Sequence, residues 1–202
     1  GIRDRDVTGV QTCALPISGF GLPAEAIQRL QPWMVATVLS LQAAERAGYG
    51  ASQGVDLWLA RQARARGQPL VALETAKRQV AALGAGGDEA QLAYLAEVVD
   101  LVDSGEASTY FGSVLQAWRE GDVAALDRLL REEMAGEAMR PLLEALLDQR
   151  NREMAVRIDK QLKAGRRPFV AVGSGHLGGP SGLLAQLAGK GYRLRQLDDG
   201  AD

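Results

Sequence analysis

The chain has 202 residues, is 47% hydrophobic and sets 25 acidic against 23 basic side chains for a net charge of −2. That length and apolar content suit one domain with its own core, and the balanced charge argues against nucleic acid or an anionic membrane surface as partner. The single cysteine, Cys13, excludes an internal disulfide, and the single histidine, His176, means that a zinc site built from this chain alone would lean on carboxylates. Aromatics at 5% make no base-stacking surface. No apolar run is long enough to span a bilayer, and Arg3, Asp4, Arg5 and Asp6 precede no apolar stretch of the secretory kind.

Residues 1–18, GIRDRDVTGVQTCALPIS, lack the Ala/Leu richness and helical period of the remaining chain. They resemble a translated sequencing-adapter artefact; the alternative is a disordered tail. They are set aside, with Cys13, and residues 19–202 are read as a single domain.

From Leu22 the pattern is helical. Ile27, Leu30, Met34, Val38 and Leu41 recur at threes and fours, with Pro32 placed to kink or split the helix and Gly48 and Gly50 to end it. Ser52 is the candidate N-cap of a helix carrying Val55, Leu59 and Ala63 on one side, with Gly67 as its stop. Pro69 to Leu73 is a short continuous apolar run and reads as a buried strand. A helix starts at Thr75 and breaks at Gly84, Gly86 and Gly87. The middle is nearly all helix, with apolar faces at Leu92, Leu95, Val98, Val99 and Val102, then Phe111, Val114, Leu115 and Trp118. Gly121-Asp122 restarts the chain into Val123, Leu126, Leu129 and Leu130, and a long helix runs from about Pro141 to Leu162, ended by Gly165. Arg167 to Val172 reads as the second strand. After it come a glycine-rich turn over 173–180, a short helix over Ser181–Leu187 and a last alternating strand over Tyr192–Leu197. The expectation is an α/β (α+β) domain: a small mixed sheet with a large helical insertion between the strands near residues 70 and 170.

Glu74 and His176 each stand just past the carboxyl end of an expected strand, the edge where open α/β sheets hold ligands. If the strands are parallel, a carboxylate and an imidazole meet there and can bind a metal or exchange a proton. Each also has a plainer reading, Glu74 as a helix N-terminal acid and His176 as a turn residue with a satisfied hydrogen bond. On the long helix, Arg150 and Asn151 interrupt the stripe Leu143, Leu146, Leu147, Met154, Ile158 and Leu162. A core-facing charge needs a partner, and Glu74 or Asp56 is the natural one; otherwise Arg150 snorkels to solvent. Gly173-Ser174-Gly175 offers backbone N–H groups to an anion, although it is neither G-x-G-x-x-G nor a P-loop, and glycine there also permits close backbone approach. Asp56 is a first-turn helix acid, and Trp33 and Trp58 are expected in the core or a pocket wall.

The same residues resemble the TraB/GumN family. Leu30-Gln31-Pro32-Trp33 is similar to its K-P-W helix, Gly54-Val55-Asp56 to its G-[VI]-D element, and Leu73-Glu74-Thr75 with Gln79 to its L-E-[ST]…Q element. Arg150-Asn151 is similar to its R-N pair, and Val172-Gly173-Ser174-Gly175-His176-Leu177 with Gly179 to its V-G-x-x-H-L-x-G motif. Gly191-Tyr192 matches the G-Y before its last strand. The resemblance runs from about Leu22 to Leu197. In the related Tiki-type proteases two G-x-x-H motifs and a glutamate are thought to build a metal site. The resemblance therefore implies a divalent metal held by His176 and Glu74. It implies a catalytic set of Glu74, Arg150, Asn151 and His176, and substrate-binding roles for Asp56, Gly173 and Gly175. The family's first G-x-x-H lies on an N-terminal strand whose place residues 1–18 occupy without a histidine. That histidine, at least one strand and any signal peptide or lipoprotein anchor are expected to be missing.

The resemblance implies one of three functions. The first is a fragment of a metal-dependent hydrolase acting on peptides, weak in metal binding and nearly inactive as truncated, with the metal polarising a carbonyl and Arg150 steadying negative charge. The second is a non-catalytic protein binding a peptide or small molecule, of the pheromone-shutdown or polysaccharide-associated type. The third, a haem-binding lipoprotein like the ChaN group, is disfavoured by the single histidine. A periplasmic or exported location, or attachment to a membrane, would depend on the missing N-terminus.

Overall fold

The computed structural model describes residue 27, residues 29–50 and residues 54–197. Residues 1–18 and Ser52 lie outside the described residues. Helix α1 (Pro32–Arg46) carries its proline in the first turn, where a missing N–H removes no helical hydrogen bond, so Pro32 starts this helix and does not kink it. Helix α2 (Val55–Ala65) begins after Gly54 and has no buried residue. Helix α3 (Ala76–Leu83) is capped by Thr75, whose hydroxyl accepts the Arg78 N–H at 3.1 Å. Helices α4 (Gly87–Asp103), α5 (Ala107–Glu120) and α6 (Val123–Glu133) come in short succession, the last capped by Asp122. A 3-10 turn (Glu137–Met139), α7 (Arg140–Leu143), a π-helical turn (Glu144–Asp148) and α8 (Gln149–Lys163) then run on without a break. A second 3-10 turn (Ser174–His176) and α9 (Leu183–Gly189) complete the described chain.

Three apolar clusters hold these helices together. Val35, Ala36 and Leu39 of α1 pack with Leu95, Val98 and Val99 of α4, and Ile27 joins them. Ala90, Met134 and Leu142 form a second cluster. The third joins Met154, Ala155 and Ile158 of α8 to Leu183 of α9, with Leu73 and Val172 packed on its side. Each fully buried aliphatic side chain of leucine or valine size contributes about 1.5–3 kcal/mol. The buried face of α1 is offset from the stripe expected for it, and Leu41 is exposed.

The expected α/β fold with a mixed sheet is corrected by the structure: the described residues are helices and loops, with no strand. Residues 69–73, 167–172 and 192–197 are all irregular backbone. A strand exists only where a neighbour satisfies its N–H and C=O groups, and an apolar run specifies burial without supplying that neighbour. Here most of each run stays in solvent: Leu70 and Val71 are over half exposed, and Phe169 is 82% exposed. Only the last residue of each of the first two runs, Leu73 and Val172, reaches the core. Trp58, expected inside, is also largely exposed, whereas Trp33 is half-buried against Gly84. Among the described residues no helix is long and apolar enough to cross a membrane.

Candidate functional site

The site is laid out along α8. Its first residues come directly after the π-helical turn, a wider coil that advances the helix face and recurs at functional positions. Arg150 and Asn151 point inward and are buried, Asn151 to 1% exposure. Neither snorkels to solvent.

Leu73 docks on the α8 cluster, and this brings the next residue, Glu74, against Arg150. Arg150 Nε donates to Glu74 Oε2 at 2.8 Å and Nη2 donates to Oε1, a two-pronged pair that occupies both carboxylate oxygens. Nη1 donates to the Leu146 carbonyl in the π turn at 2.8 Å. The hydrogen bonds from Arg150 hold the Glu74 carboxyl below its ordinary range, against the opposing effect of burial. A second pair of reversed polarity lies beside the first: Arg78 Nε donates to Glu153 Oε2 at 2.9 Å. The segment bearing Glu74 and Arg78 is thus stitched to α8 by an acid–base and a base–acid pair.

Val172 docks on the same cluster and delivers the glycine turn to the other side of Asn151. His176 Nδ1 lies 2.7 Å from Asn151 Oδ1. A carbonyl oxygen only accepts, so Nδ1 carries the proton and Nε2 keeps its lone pair. Burial first, and then the Arg150 charge, push the His176 pKa down, with Glu74 opposing, so the ring is neutral at physiological pH. The buried Asn151 Nδ2 has no hydrogen-bond partner. An orphan donor of that kind costs roughly 1–3 kcal/mol until an oxygen reaches it.

The glycine turn is packed too tightly for side chains at several positions. A β-carbon at Gly178 would stand 2.8 Å from the Val123 carbonyl oxygen, and one at Gly182 would stand 2.0 Å from the Gly178 carbonyl oxygen. At Gly179, with φ +74°, the Asp127 carboxylate fills the space. Asp127 accepts from Arg131 at 2.8 Å, and Arg131 reaches on to Asp148 in the π turn at 3.4 Å. Gly175 lies over Leu130. The Gly173 carbonyl accepts the His176 backbone N–H at 3.0 Å, and Gly173 faces the His176 ring.

The structure therefore brings Glu74, Arg150, Asn151, His176, Gly173 and Gly175 together. It leaves Asp56 apart, exposed in the first turn of α2, and gives Arg150 the Glu74 carboxylate as its partner. Arg78 and Glu153 carry no motif that marks them in the sequence. Their only signal is spacing: Glu153 stands three residues after Arg150 on the same face of α8, and Arg78 stands in the first turn of the helix that follows Glu74.

What has assembled is a buried imidazole oriented by an amide, beside a carboxylate held by a guanidinium. The residues that build it lie within a stretch that one family's model matches. The model of the TraB/PrgY/gumN family matches residues 16–196, and the chain belongs to that family. No curated protein and no solved structure matches it.

Proposed function

We propose that this chain carries part of a hydrolase site for peptide-like carbonyl substrates, with His176 as the reacting group. The observation that carries the reading is the 2.7 Å contact between His176 Nδ1 and Asn151 Oδ1, which leaves the Nε2 lone pair to act. In this reading Nε2 takes a proton from a water that attacks the substrate carbonyl, and returns it to the leaving amine. Asn151 keeps the ring in the required tautomer, and the Glu74 charge offsets part of what burial and Arg150 cost the imidazolium formed between the two transfers. Gly173 sets no side chain beside the ring, and Gly175 seats the turn against Leu130.

A divalent metal is what the family resemblance implies. His176 Nε2 fits a ligand whose other nitrogen is anchored by a carbonyl. Glu74 does not fit beside it, because both oxygens are held by a guanidinium whose positive charge would face the ion. Among the described residues no group of three or more His, Cys, Asp or Glu is placed to hold one. Catalytic zinc takes about three protein ligands. Further ligands would have to come from beyond the described residues.

The test is hydrolysis of a fluorogenic peptide library by the chain and by its His176→Ala and Asn151→Ala variants. Low activity that disappears with His176→Ala supports the proposal; activity unchanged in that variant overturns it. A second reading, capture of a peptide or small ligand without cleavage, is favoured by one observation: Glu74, Arg150, Arg78 and Glu153 already satisfy one another. Saturable binding with no turnover would select it.

A further inference from the structure

The carboxylate that the family resemblance would give to a metal already faces a cation in this fold. Arg150 is 8% exposed, binds both Glu74 oxygens and is fixed from behind by the Leu146 carbonyl in the π turn. The guanidinium cannot shed its proton, so its charge is permanent. Arg150 adjoins Asn151 in α8, and Asn151 Oδ1 lies 2.7 Å from His176 Nδ1, so the ion pair and the imidazole are held by neighbouring residues of one helical turn. An ion bridging Glu74 and His176 would need the oxygens that Arg150 holds and would approach a fixed positive charge.

We propose that Arg150 is the resident cation of this site and closes the Glu74–His176 pair to divalent metal, so that the two become a ligand pair only when Arg150 releases Glu74. The proposal rests on the reading of His176 Nε2 as the free reacting nitrogen. It makes the π turn a control point, since the Leu146 carbonyl there holds the guanidinium in its closing position.

The experiment is Co2+ titration of the full chain, monitored by calorimetry and by the visible absorption of bound cobalt, with circular dichroism as the folding control. Arg150→Met keeps the length of the stem and removes the charge. This variant is expected to bind Co2+ at least about tenfold more tightly than the unmodified chain. The gain should vanish in Arg150→Met/His176→Ala and in Arg150→Met/Glu74→Gln. If Arg150→Met does not fold, Glu74→Gln alone decides the matter. Unchanged Co2+ affinity supports closure of Glu74 by Arg150, and a loss of about tenfold or more overturns it. Tight Co2+ binding by the unmodified chain that needs Glu74 and His176 also overturns it. Failure of every variant to hydrolyse peptides would sink the hydrolase reading and leave this one standing.

Discussion

The imidazole of His176 and the amide of Asn151 meet at 2.7 Å across 25 residues of sequence, one delivered by a glycine turn and the other from the first turn of α8. With the amide oxygen facing the ring, Nδ1 is the nitrogen that carries the proton. Because His176 is the chain's single histidine, its ring nitrogens are observable without assignment. Nitrogen NMR should find the neutral ring protonated on Nδ1. Asn151→Ala removes the acceptor and should return the ring to the Nε2-protonated form that free imidazole side chains prefer. A ring protonated on Nε2 in the unmodified chain would refute the orientation.

Acid should weaken the fold in two stages. The folded pKa of His176 lies below its ordinary 6.5, first through burial and then through Arg150. A group with a lowered folded pKa binds protons less readily folded than unfolded. Its contribution is therefore complete above 6.5 and is lost as the pH falls through the folded value. Glu74, also lowered from an ordinary 4.5, chiefly by the Arg150 hydrogen bonds, adds a second loss at lower pH. Urea unfolding across this range should show both descents, and His176→Gln should remove the upper one alone. A flat profile between the two ordinary values would contradict the burial of a neutral ring.

The two crossed ion pairs should differ in weight. The side chains of Glu74 and Arg150 are 21% and 10% exposed, and removing one partner leaves the other charge buried. Glu74→Ala should destabilise by about 3 kcal/mol. Arg78 and Glu153 are 24% and 46% exposed, and Glu153→Ala should cost no more than about 1 kcal/mol. Equal losses from the two variants would show that solvent screens both pairs alike.

How much of this is legible in the sequence depends on whether the signal is local. Thr75 and Asp122 mark helix starts through backbone chemistry within one turn, and each caps its helix, whereas Pro32, expected to kink or split a helix, begins α1. Arg150 and Asn151 stand out because they break an apolar stripe at a core-facing phase, and the structure turns both inward. The π turn before them leaves no comparable mark, since its sequence, Glu144 to Asp148, reads as ordinary helix. The pairing of Arg78 with Glu153 spans 75 residues and joins two side chains typical of any helix surface. The expected sheet fails for a related reason: strand pairing is a long-range property and an apolar run is a local one.

The glycine turn offers a test in which two nearby glycines behave differently. Gly182→Ala drives a β-carbon to 2.0 Å from the Gly178 carbonyl oxygen, a backbone atom that cannot swing aside. It should cost about 3 kcal/mol by overpacking and shift the His176 NMR signals, because the turn that presents the ring must move. Gly189→Ala, where a β-carbon meets nothing within 4 Å, lies at the end of α9 and should change stability by no more than about 1 kcal/mol. Comparable losses in the two would mean that the turn is not packed as described.

Phe169 distinguishes the observed fold from the one its sequence suggests. Within the run 167–172 it is the largest apolar side chain, and in a buried strand its truncation to alanine would cost about 3–5 kcal/mol. In the structure Phe169 is 82% exposed on irregular backbone, so the ring has little packing to lose. Phe169→Ala should therefore stay within about 0.5 kcal/mol of the unmodified chain by urea unfolding. Val172, nearer the site along the chain, gives the contrast. It packs on the cluster of Met154, Ala155, Ile158 and Leu183, so Val172→Ala should cost about 1–2 kcal/mol and loosen His176 four residues on. If the Phe169 variant loses as much as a core truncation, residues 167–172 are paired and covered in solution, and the sheet returns. If only Val172 matters, the run serves the site through its last residue, which anchors the glycine turn to α8.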